Sequence, residues 1–247
     1  MEKIRPIYEG KAKIIYETND PSLVIVEFKD DVTAFDGKKK GTIQGKGEVC
    51  NAISAKAFEF LSTHGIKTHF VSRLGPQDML VRRLRILPVE AVVRNIVAGS
   101  LAKRLGLAEG EALGQPVFET YYKSDALGDP LVNNYHLAAL KAATLEQIAV
   151  LEDLSLKINE YLLRFFEAAR LLLVDFKLEF GVPYDSPEGE SNMILLADEI
   201  SPDTCRLWDI DSHDRLDKDR FRRDMGNVEL AYQEVMRRVE SAHGMAR

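Results

Sequence analysis

Three charged residues alternate with apolar ones in one short segment, and they are the first sign of chemistry in the sequence. In a β-strand, Asp175, Lys177 and Glu179 would share one face, with apolar side chains on the other. An ordinary strand with one solvated face shows the same pattern. A second predicted strand at 193–200 carries Asp198, which a hairpin would bring beside Glu179. Because Mg²⁺ needs few carboxylates and completes its shell with water and phosphate oxygens, these two are candidate metal ligands.

A glycine and two lysines form a second candidate near the N-terminus. Apolar segments at 12–16 and 23–28 flank the turn-forming sequence Asn-Asp-Pro-Ser, which predicts a β-hairpin. Lys11 and Lys13 would project from one face of its first strand, and Gly10 would let a polyphosphate approach the backbone. The segment matches neither a Walker motif nor GxGxxG, and a solvated hairpin edge has the same composition.

An arginine and a serine flank a third candidate, at the junction of a predicted strand and helix. The apolar run 87–98 predicts a buried strand, and Gly99 with Ser100 is suited to cap the helix that follows. A helix N-terminus with a hydroxyl group and the Arg94 guanidinium nearby would bind a monophosphate. A simple helix cap beside a surface arginine explains the same residues.

The elements that must position these residues indicate a mixed α and β fold. Apolar residues at helical spacing predict helices at 48–61, 151–172 and 221–239. Segment 80–87 has the composition of a strand that ends before Pro88. We therefore predict a small β-rich lobe at 1–80, packed on a larger α+β domain at 81–247 that carries the C-terminal helices.

The length, charge and composition of the chain exclude several classes of protein function. The chain has 247 residues, and a chain of this length buries enough surface to fold without disulfides or metal. A net charge of -6 argues against a broad nucleic-acid surface, although a few focused cations could still bind a small anion. No apolar run approaches the length of a membrane span. Nor does the N-terminus carry a cleavable apolar segment, so we expect a cytoplasmic protein. Cys50 and Cys205 lack CxxC partners, so we expect reduced cysteines, and the five histidines lack metal-ligand spacing.

Several segments, taken together and in order along nearly the whole chain, resemble the SAICAR synthetase family. They are residues 8–13, 88–95, 98–100, 123–125, 128–130, 174–181, 197–199, 201–203, 206–209 and 217–222. The resemblance implies an α+β fold with a kinase-like or ATP-grasp-like nucleotide lobe. It also implies an ATP-dependent ligase of purine biosynthesis. Such an enzyme joins the carboxylate of 5-amino-1-(5-phosphoribosyl)imidazole-4-carboxylate (CAIR) to the amino group of L-aspartate, giving SAICAR, ADP and phosphate.

The resemblance further implies a role for each matching residue. Residues expected to border ATP are Gly10, Lys11, Ala12, Lys13, Val81 and Arg82. Mg²⁺ would be held by Glu179 and Asp198. Residues expected to bind the ribonucleotide or close over the site are Arg94, Ser100, Lys123, Arg206, Arg215 and Lys218. Residues expected nearest the reacting groups are Lys177, Asp175, Asp36 and Glu90.

The residue types suit the reaction that the resemblance implies. A carboxylate is a poor electrophile, so ATP must first convert it into an acyl phosphate, a step that depends on positioning and charge neutralisation. The expected partners are ATP, CAIR, L-aspartate and Mg²⁺, with neither nucleic acid nor membrane, in a homo-oligomer. A small-molecule kinase would share the lysines and carboxylates but stop at phosphoryl transfer. A nucleotide sensor would not need Lys177 beside two metal ligands.

Overall fold

The computed structural model of the chain describes residues 1–35, 37–186 and 193–244. Its strands are β1 (Pro6–Glu9), β2 (Lys13–Glu17), β3 (Leu23–Phe28), β4 (Asp31–Ala34), β5 (Lys39–Thr42), β6 (Phe70–Arg73), β7 (Asp78–Arg82), β8 (Leu84–Ile96), β9 (Ala112–Tyr122), β10 (Leu131–Val132), β11 (Leu171–Pro183), β12 (Leu195–Ala197) and β13 (Cys205–Asp209). Its α-helices are α1 (Lys46–Thr63), α2 (Gly99–Leu105), α3 (Asn134–Ala139), α4 (Leu145–Ala168), α5 (Asp219–Arg222) and α6 (Val228–His243). The predicted mixture of helices and sheets is confirmed.

The first sheet is antiparallel and has the strand order β1-β2-β3-β7-β6. The predicted hairpin is confirmed, because β2 pairs with β3 from Lys13 opposite Phe28 to Glu17 opposite Val24. The helix predicted at 48–61 is α1, which packs on this sheet and also contacts α4 and α6. Strands β4 and β5 form a separate antiparallel ribbon.

The second sheet has the order β10-β9-β8-β11-β12. Its two longest strands, β8 and β11, are neighbours near the middle of the sheet. One side of β11 pairs with β8, while the other pairs first with β13 and then with β12. Helix α4 packs against β8, β9 and β11 and covers the apolar face of the sheet. The strand predicted at 193–200 is confirmed as the shorter β12, and residues 187–192 of the predicted turn before it lie outside the described residues.

The prediction of one strand at 80–87, ending before Pro88, was wrong. Strand β7 ends at Arg82, and β8 starts at Leu84 and runs through Pro88. The register between β8 and β11 is irregular at this point, where the pair Glu179 and Glu90 is followed by Gly181 and Ile86. Proline has no N–H to donate, so a sheet accommodates it at such an irregularity.

Two predicted helices have other bounds than their apolar spacing suggested, and α4 begins before the predicted residue 151, at Leu145. Helix α4 ends at Ala168, and the predicted extension to Leu172 lies in β11, after a left-handed Arg170 (φ 58°). The stretch predicted at 221–239 is divided between α5 and α6. Gly226 and Asn227 both have positive φ values of 70° and 52°, which the helix cannot continue through.

A β-bulge in β11 changes which side chains reach the core. Phe176, Leu178 and Phe180 lie in the main core as predicted, together with Leu171 and Leu173. Val174 was predicted on the same face and instead packs in a small cluster with Ala98 and Trp208. The register shift between Leu173 and Asp175 inserts one residue, so the alternation of faces reverses there.

Within the described part of the chain, no helix combines the length and the apolar character needed to cross a lipid bilayer. The predicted lobe boundary after residue 80 falls inside β7, whose last residue is Arg82.

Candidate active site

A cleft of about 940 Å³ is lined by side chains from both large sheets. Many of the residues singled out in the sequence lie along it: Gly10, Lys11, Ala12, Lys13, Val81, Arg82, Lys123, Lys177, Glu179, Asp198 and Lys218. Strand β7 is followed after one residue by β8, so the two sheets meet at one wall of this cleft. Residues from the N-terminal hairpin and from β11 thus face a common space.

The cleft also contains residues that the sequence did not single out as site residues. Its polar wall includes His69, Glu199, Asp203, Thr204 and Arg222, and its apolar wall includes Ile15, Val24, Val26, Leu84, Ile86 and Leu87. The apolar residues alternate along the hairpin strands, a pattern that equally fits an ordinary core. Arg222 and Asp203 lie in segments that carried the family resemblance, so the signal for these two was present.

The two candidate metal ligands lie side by side. Glu179 pairs with Ala197 across β11 and β12, so Asp198 follows directly beside it. Burial and the negative charge of Asp198 raise the pKa of Glu179 above its usual value. Asp198 adopts a left-handed backbone with φ 63°, a conformation that costs energy and is frequent at functional sites.

Lysines surround this carboxylate pair. Lys123 forms an ion pair with Glu179, and Lys13 forms one with Asp198 and a second, at 2.8 Å, with Glu199. Burial alone would raise the pKa of Asp198, but the charge of Lys13 outweighs it and the pKa is lowered. The Asp198 carboxylate is therefore ionised at neutral pH.

The carboxylate pair fits a magnesium ion. Within residues 1–35, 37–186 and 193–244, no group of three or more His, Cys, Asp or Glu side chains could hold a metal. Mg²⁺ does not require such a group, since one or two carboxylates suffice when phosphate oxygens and water complete its shell. The Glu179 and Asp198 carboxylates lie together in the cleft and repel each other, and a bound cation would offset that repulsion.

The two N-terminal lysines contact different partners. The prediction that both project from one strand was wrong, because β2 begins at Lys13 and the Gly10 N–H donates to the Lys13 carbonyl at 2.8 Å in a tight turn. The Lys11 ammonium lies 2.7 Å from Asp125, whereas Lys13 reaches Asp198 and Glu199. Both lysines nevertheless line the cleft.

Lys177 reaches the cleft from the middle of β11. Its ammonium donates to Glu90 at 2.9 Å across the β8–β11 pair. Burial opposes the charged form of Lys177, but Glu90, Asp198 and Glu179 outweigh it and raise its pKa. Lys177 therefore keeps its positive charge, and both candidate metal ligands attract that charge.

Arg94 lies in a buried network, neither on the surface nor among the residues described along the cleft wall. It is 3% exposed and donates to Glu119 and Asp175 at 2.7 Å and to the Tyr121 hydroxyl at 3.0 Å. Arg206 donates to the same Asp175 carboxylate, at 2.7 and 3.0 Å. Asp175 therefore holds two guanidinium groups together instead of lining the cleft.

The predicted helix cap at Ser100 was wrong. Helix α2 begins at Gly99, its N-cap residue is Ala98, and that cap makes no side-chain hydrogen bond. The Ser100 hydroxyl instead accepts from Arg94 at 3.2 Å and from Arg104 at 3.1 Å.

Gly99 brings backbone and arginine into close contact at the start of α2. Its φ is 54°, and a Cβ atom here would collide with the Arg206 guanidinium. The positive φ favours glycine at this position, and a larger residue would require the Arg206 guanidinium to shift. Arg206 and Ser100 therefore converge at one end of the network.

Besides Asp175 and the three residues Arg94, Ser100 and Arg206 of its network, Arg215 and Glu90 are absent from the described cleft wall. Arg215 is absent from the residues described along the cleft wall; it donates to Glu109 at 2.7 Å and packs on the Trp208 ring at 5.3 Å. Arg222 reaches the cleft wall instead. Glu90 is positioned behind Lys177 as its ion-pair partner. Asp36 lies outside the described residues.

We predict that the free energy of unfolding depends on pH through the buried carboxyl group of Asp217. It is fully buried, and burial together with the charge of Asp219 raises its pKa to about 7. A raised pKa means that the folded state binds the proton more tightly, so this stabilisation is present at low pH and is lost as pH rises towards 7. We expect the stability advantage of the native protein over the Asp217→Asn variant to fall by about 2 kcal/mol between pH 5 and pH 8, measured by urea unfolding. An equal difference at both pH values would contradict the shift.

Comparison with known proteins gives a consistent result. The profile of the family described as SAICAR synthetase matches residues 6–239. A phosphoribosylaminoimidazole-succinocarboxamide synthase from Coprothermobacter proteolyticus is 55% identical over 97% of this chain and 99% of its own length. The crystal structure of a protein of that name from Ehrlichia chaffeensis superposes with a TM-score of 0.92, at 45% identity over 96% of this chain and 99% of the other. A SAICAR synthetase in complex with ADP gives 0.89, at 46% identity over 97% and 99%.

Proposed function

The chain belongs to the SAICAR synthetase family, and from this premise we propose how its residues carry out the reaction. It is an ATP-dependent ligase of purine biosynthesis that forms SAICAR. We propose CAIR and L-aspartate as the two substrates that it joins. The observation that carries the residue assignments is the convergence of Lys13, Lys177 and the Glu179–Asp198 pair in one cleft.

ATP would bind in the cleft against the first sheet, over the N-terminal hairpin and β7, which are paired in that sheet. Gly10, Lys11, Ala12 and Lys13 would border its phosphates, and the cleft wall at Val81 and Arg82 would border the adenine. Apolar side chains of β2, β3 and β8 line the same space and suit a nucleobase. The neighbour in complex with ADP has the same fold at 46% identity, which supports nucleotide binding by this chain.

The carboxylate pair and the lysines would stabilise phosphoryl transfer. Glu179 and Asp198 would hold Mg²⁺, which when bound neutralises charge on the phosphate oxygens. Lys13 and Lys177 keep their charge because carboxylates pair with them, so they would stabilise the negative charge that develops during transfer to the CAIR carboxylate. Glu90 would act by holding Lys177 in place. Attack by the aspartate amine on the acyl phosphate would then release phosphate.

The arginine network would bind the ribonucleotide phosphate. Arg206, Arg94 and Ser100 meet at the start of α2, and Asp175 fixes both guanidinium groups in one orientation. We assign Asp175 this positioning role in place of contact with the reacting groups, because it is 4% exposed and saturated by two arginines. Lys123 and Lys218 would contact the ribonucleotide, and Arg222 would replace Arg215 at the cleft wall.

Several broader features belong to the same proposal. The first sheet with α1 would form the kinase-like or ATP-grasp-like nucleotide lobe, within the division of the chain into 1–80 and 81–247. We also propose a homo-oligomer in the cytoplasm. Asp36 would lie near the reacting groups.

An isotope experiment tests the reaction. If ATP activates the CAIR carboxylate, one of its oxygens must leave in the phosphate when the amine attacks the carbonyl carbon. With ¹⁸O in that carboxylate, mass spectrometry should find one labelled oxygen in the released phosphate, and only when L-aspartate is present. Label retained on a phosphorylated substrate would indicate a kinase. Unlabelled phosphate accompanying full amide formation would exclude the acyl phosphate.

A further inference from the structure

Residues from distant parts of the chain converge on the Asp203 carboxylate. The Lys46 ammonium, at the start of α1, lies 2.9 Å from Oδ2, and the Tyr232 hydroxyl of α6 donates to Oδ1 at 2.7 Å. Lys46 and Tyr232 are each 1% exposed. Asp203 lies on the cleft wall, and each of its two carboxylate oxygens thus accepts a hydrogen bond from a buried side chain.

The ion pair between Lys46 and Asp203 stays ionised. Lysine is seldom fully buried unless it is paired, because taking its charge out of water is costly. Burial opposes ionisation of Asp203, but Lys218, Lys46 and the Tyr232 hydrogen bond outweigh it and hold its pKa below the usual value. Asp203 therefore presents a negative charge, and each of its oxygens already accepts a hydrogen bond from a buried side chain.

Lys218 is the cation on the cleft side of this group. Its backbone is fixed by an N–H donated to the Pro202 carbonyl at 3.1 Å, but its ammonium lies 3.8 Å from Asp203 Oδ2, beyond hydrogen-bond length. No shorter ion pair of Lys218 occurs within the part of the chain that the structure describes. Burial lowers the pKa of Lys218; the charge of Asp203 opposes this effect, but repulsion from Arg222, Lys177 and Lys46 adds to it, and the pKa stays lowered. An anionic group entering the cleft would relieve this repulsion.

We propose that Lys46 and Tyr232 are positioning residues for substrate binding: by each donating to one oxygen of Asp203, they keep the Lys218 ammonium beyond hydrogen-bond distance of that carboxylate and available to the anionic substrate. Without Lys46, Lys218 would move onto Asp203 and pair with that carboxylate instead of with the substrate. This inference rests on the proposed role of Lys218 in binding the ribonucleotide.

A double-mutant cycle tests the inference, with Lys46→Met and Lys218→Met made singly and together. We expect Lys46→Met to raise the KM for CAIR about fivefold while kcat changes less than twofold, a coupling typical of residues in one ion-pair network. In the Lys218→Met background, Lys46→Met should change that KM no further. Tyr232→Phe keeps the ring and removes one hydrogen bond, so it should give a smaller effect with the same dependence on Lys218. If the Lys46→Met variant does not fold, Tyr232→Phe replaces it in the double-mutant cycle with Lys218→Met.

Val235→Ala is the matched control. Val235 lies about one turn from Tyr232 in α6 and is fully buried, so its truncation lowers the melting temperature without reaching Asp203. Its KM for CAIR should equal that of the native protein. Equal effects of Lys46→Met in both backgrounds, or a lowered melting temperature with unchanged KM, would overturn the inference alone. An unchanged KM in the Lys218→Met single variant would overturn both the inference and the proposed role of Lys218.

Discussion

The Asp198→Asn variant is expected to lose about three orders of magnitude in kcat while keeping its fold. Asparagine preserves the size of the side chain and removes the charge that would hold Mg²⁺ and that pairs with Lys13. Lys13 keeps a second partner in Glu199, so the local structure should survive. Steady-state kinetics at increasing Mg²⁺, with thermal melting of both proteins, measure the two effects separately. Glu179→Gln should act similarly.

A matched carboxylate provides the control for this prediction. Asp125 also pairs with a lysine of the N-terminal segment, Lys11, but its side chain is 80% exposed. Asp125→Asn should therefore change kcat by no more than about threefold, since exposed ion pairs contribute little. Near-native activity of the Asp198→Asn variant at ordinary Mg²⁺ would remove the metal assignment. A comparable loss in the Asp125→Asn variant would attribute the effect to general electrostatics.

Removal of the Asp175 charge should have the largest effect on stability. The Asp175→Asn substitution leaves two guanidinium groups, Arg94 and Arg206, without their shared counter-ion in a buried site. Removing one partner of a buried ion pair typically lowers the free energy of unfolding by about 3–5 kcal/mol. Glu119 and Asp219 still pair with these arginines, so we expect about 3 kcal/mol, measured by urea unfolding. The KM for CAIR should rise as well, because the arginines lose their fixed orientation.

An exposed ion pair distinguishes burial from charge in this experiment. Asp211 pairs with Arg170, and the two side chains are 74% and 63% exposed. Asp211→Asn removes the same charge by the same substitution and should leave the unfolding free energy nearly unchanged. If the Asp175 and Asp211 variants are equally stable, the arginine network contributes nothing beyond surface electrostatics.

Local patterns in the sequence determined a large part of this protein. The turn residues between two apolar segments were enough to predict the β2–β3 hairpin. Strict alternation predicted the strand that carries Lys177 and Glu179, and the hairpin after it brought Asp198 beside Glu179. These predictions succeeded because strand periodicity and hairpin register depend on neighbouring residues.

Tertiary packing decided what those patterns do not encode. The bulge that turns Val174 out of the main core depends on how β11 pairs with β13, and the burial of Arg94 depends on β9 supplying Glu119 and Tyr121. Nothing local marks Lys46 as a buried lysine, because its partner Asp203 is 157 residues away. Charge and burial at such positions are fixed only when distant elements pack together, since the free energy of a buried ion depends on its surroundings and not on its neighbours in sequence.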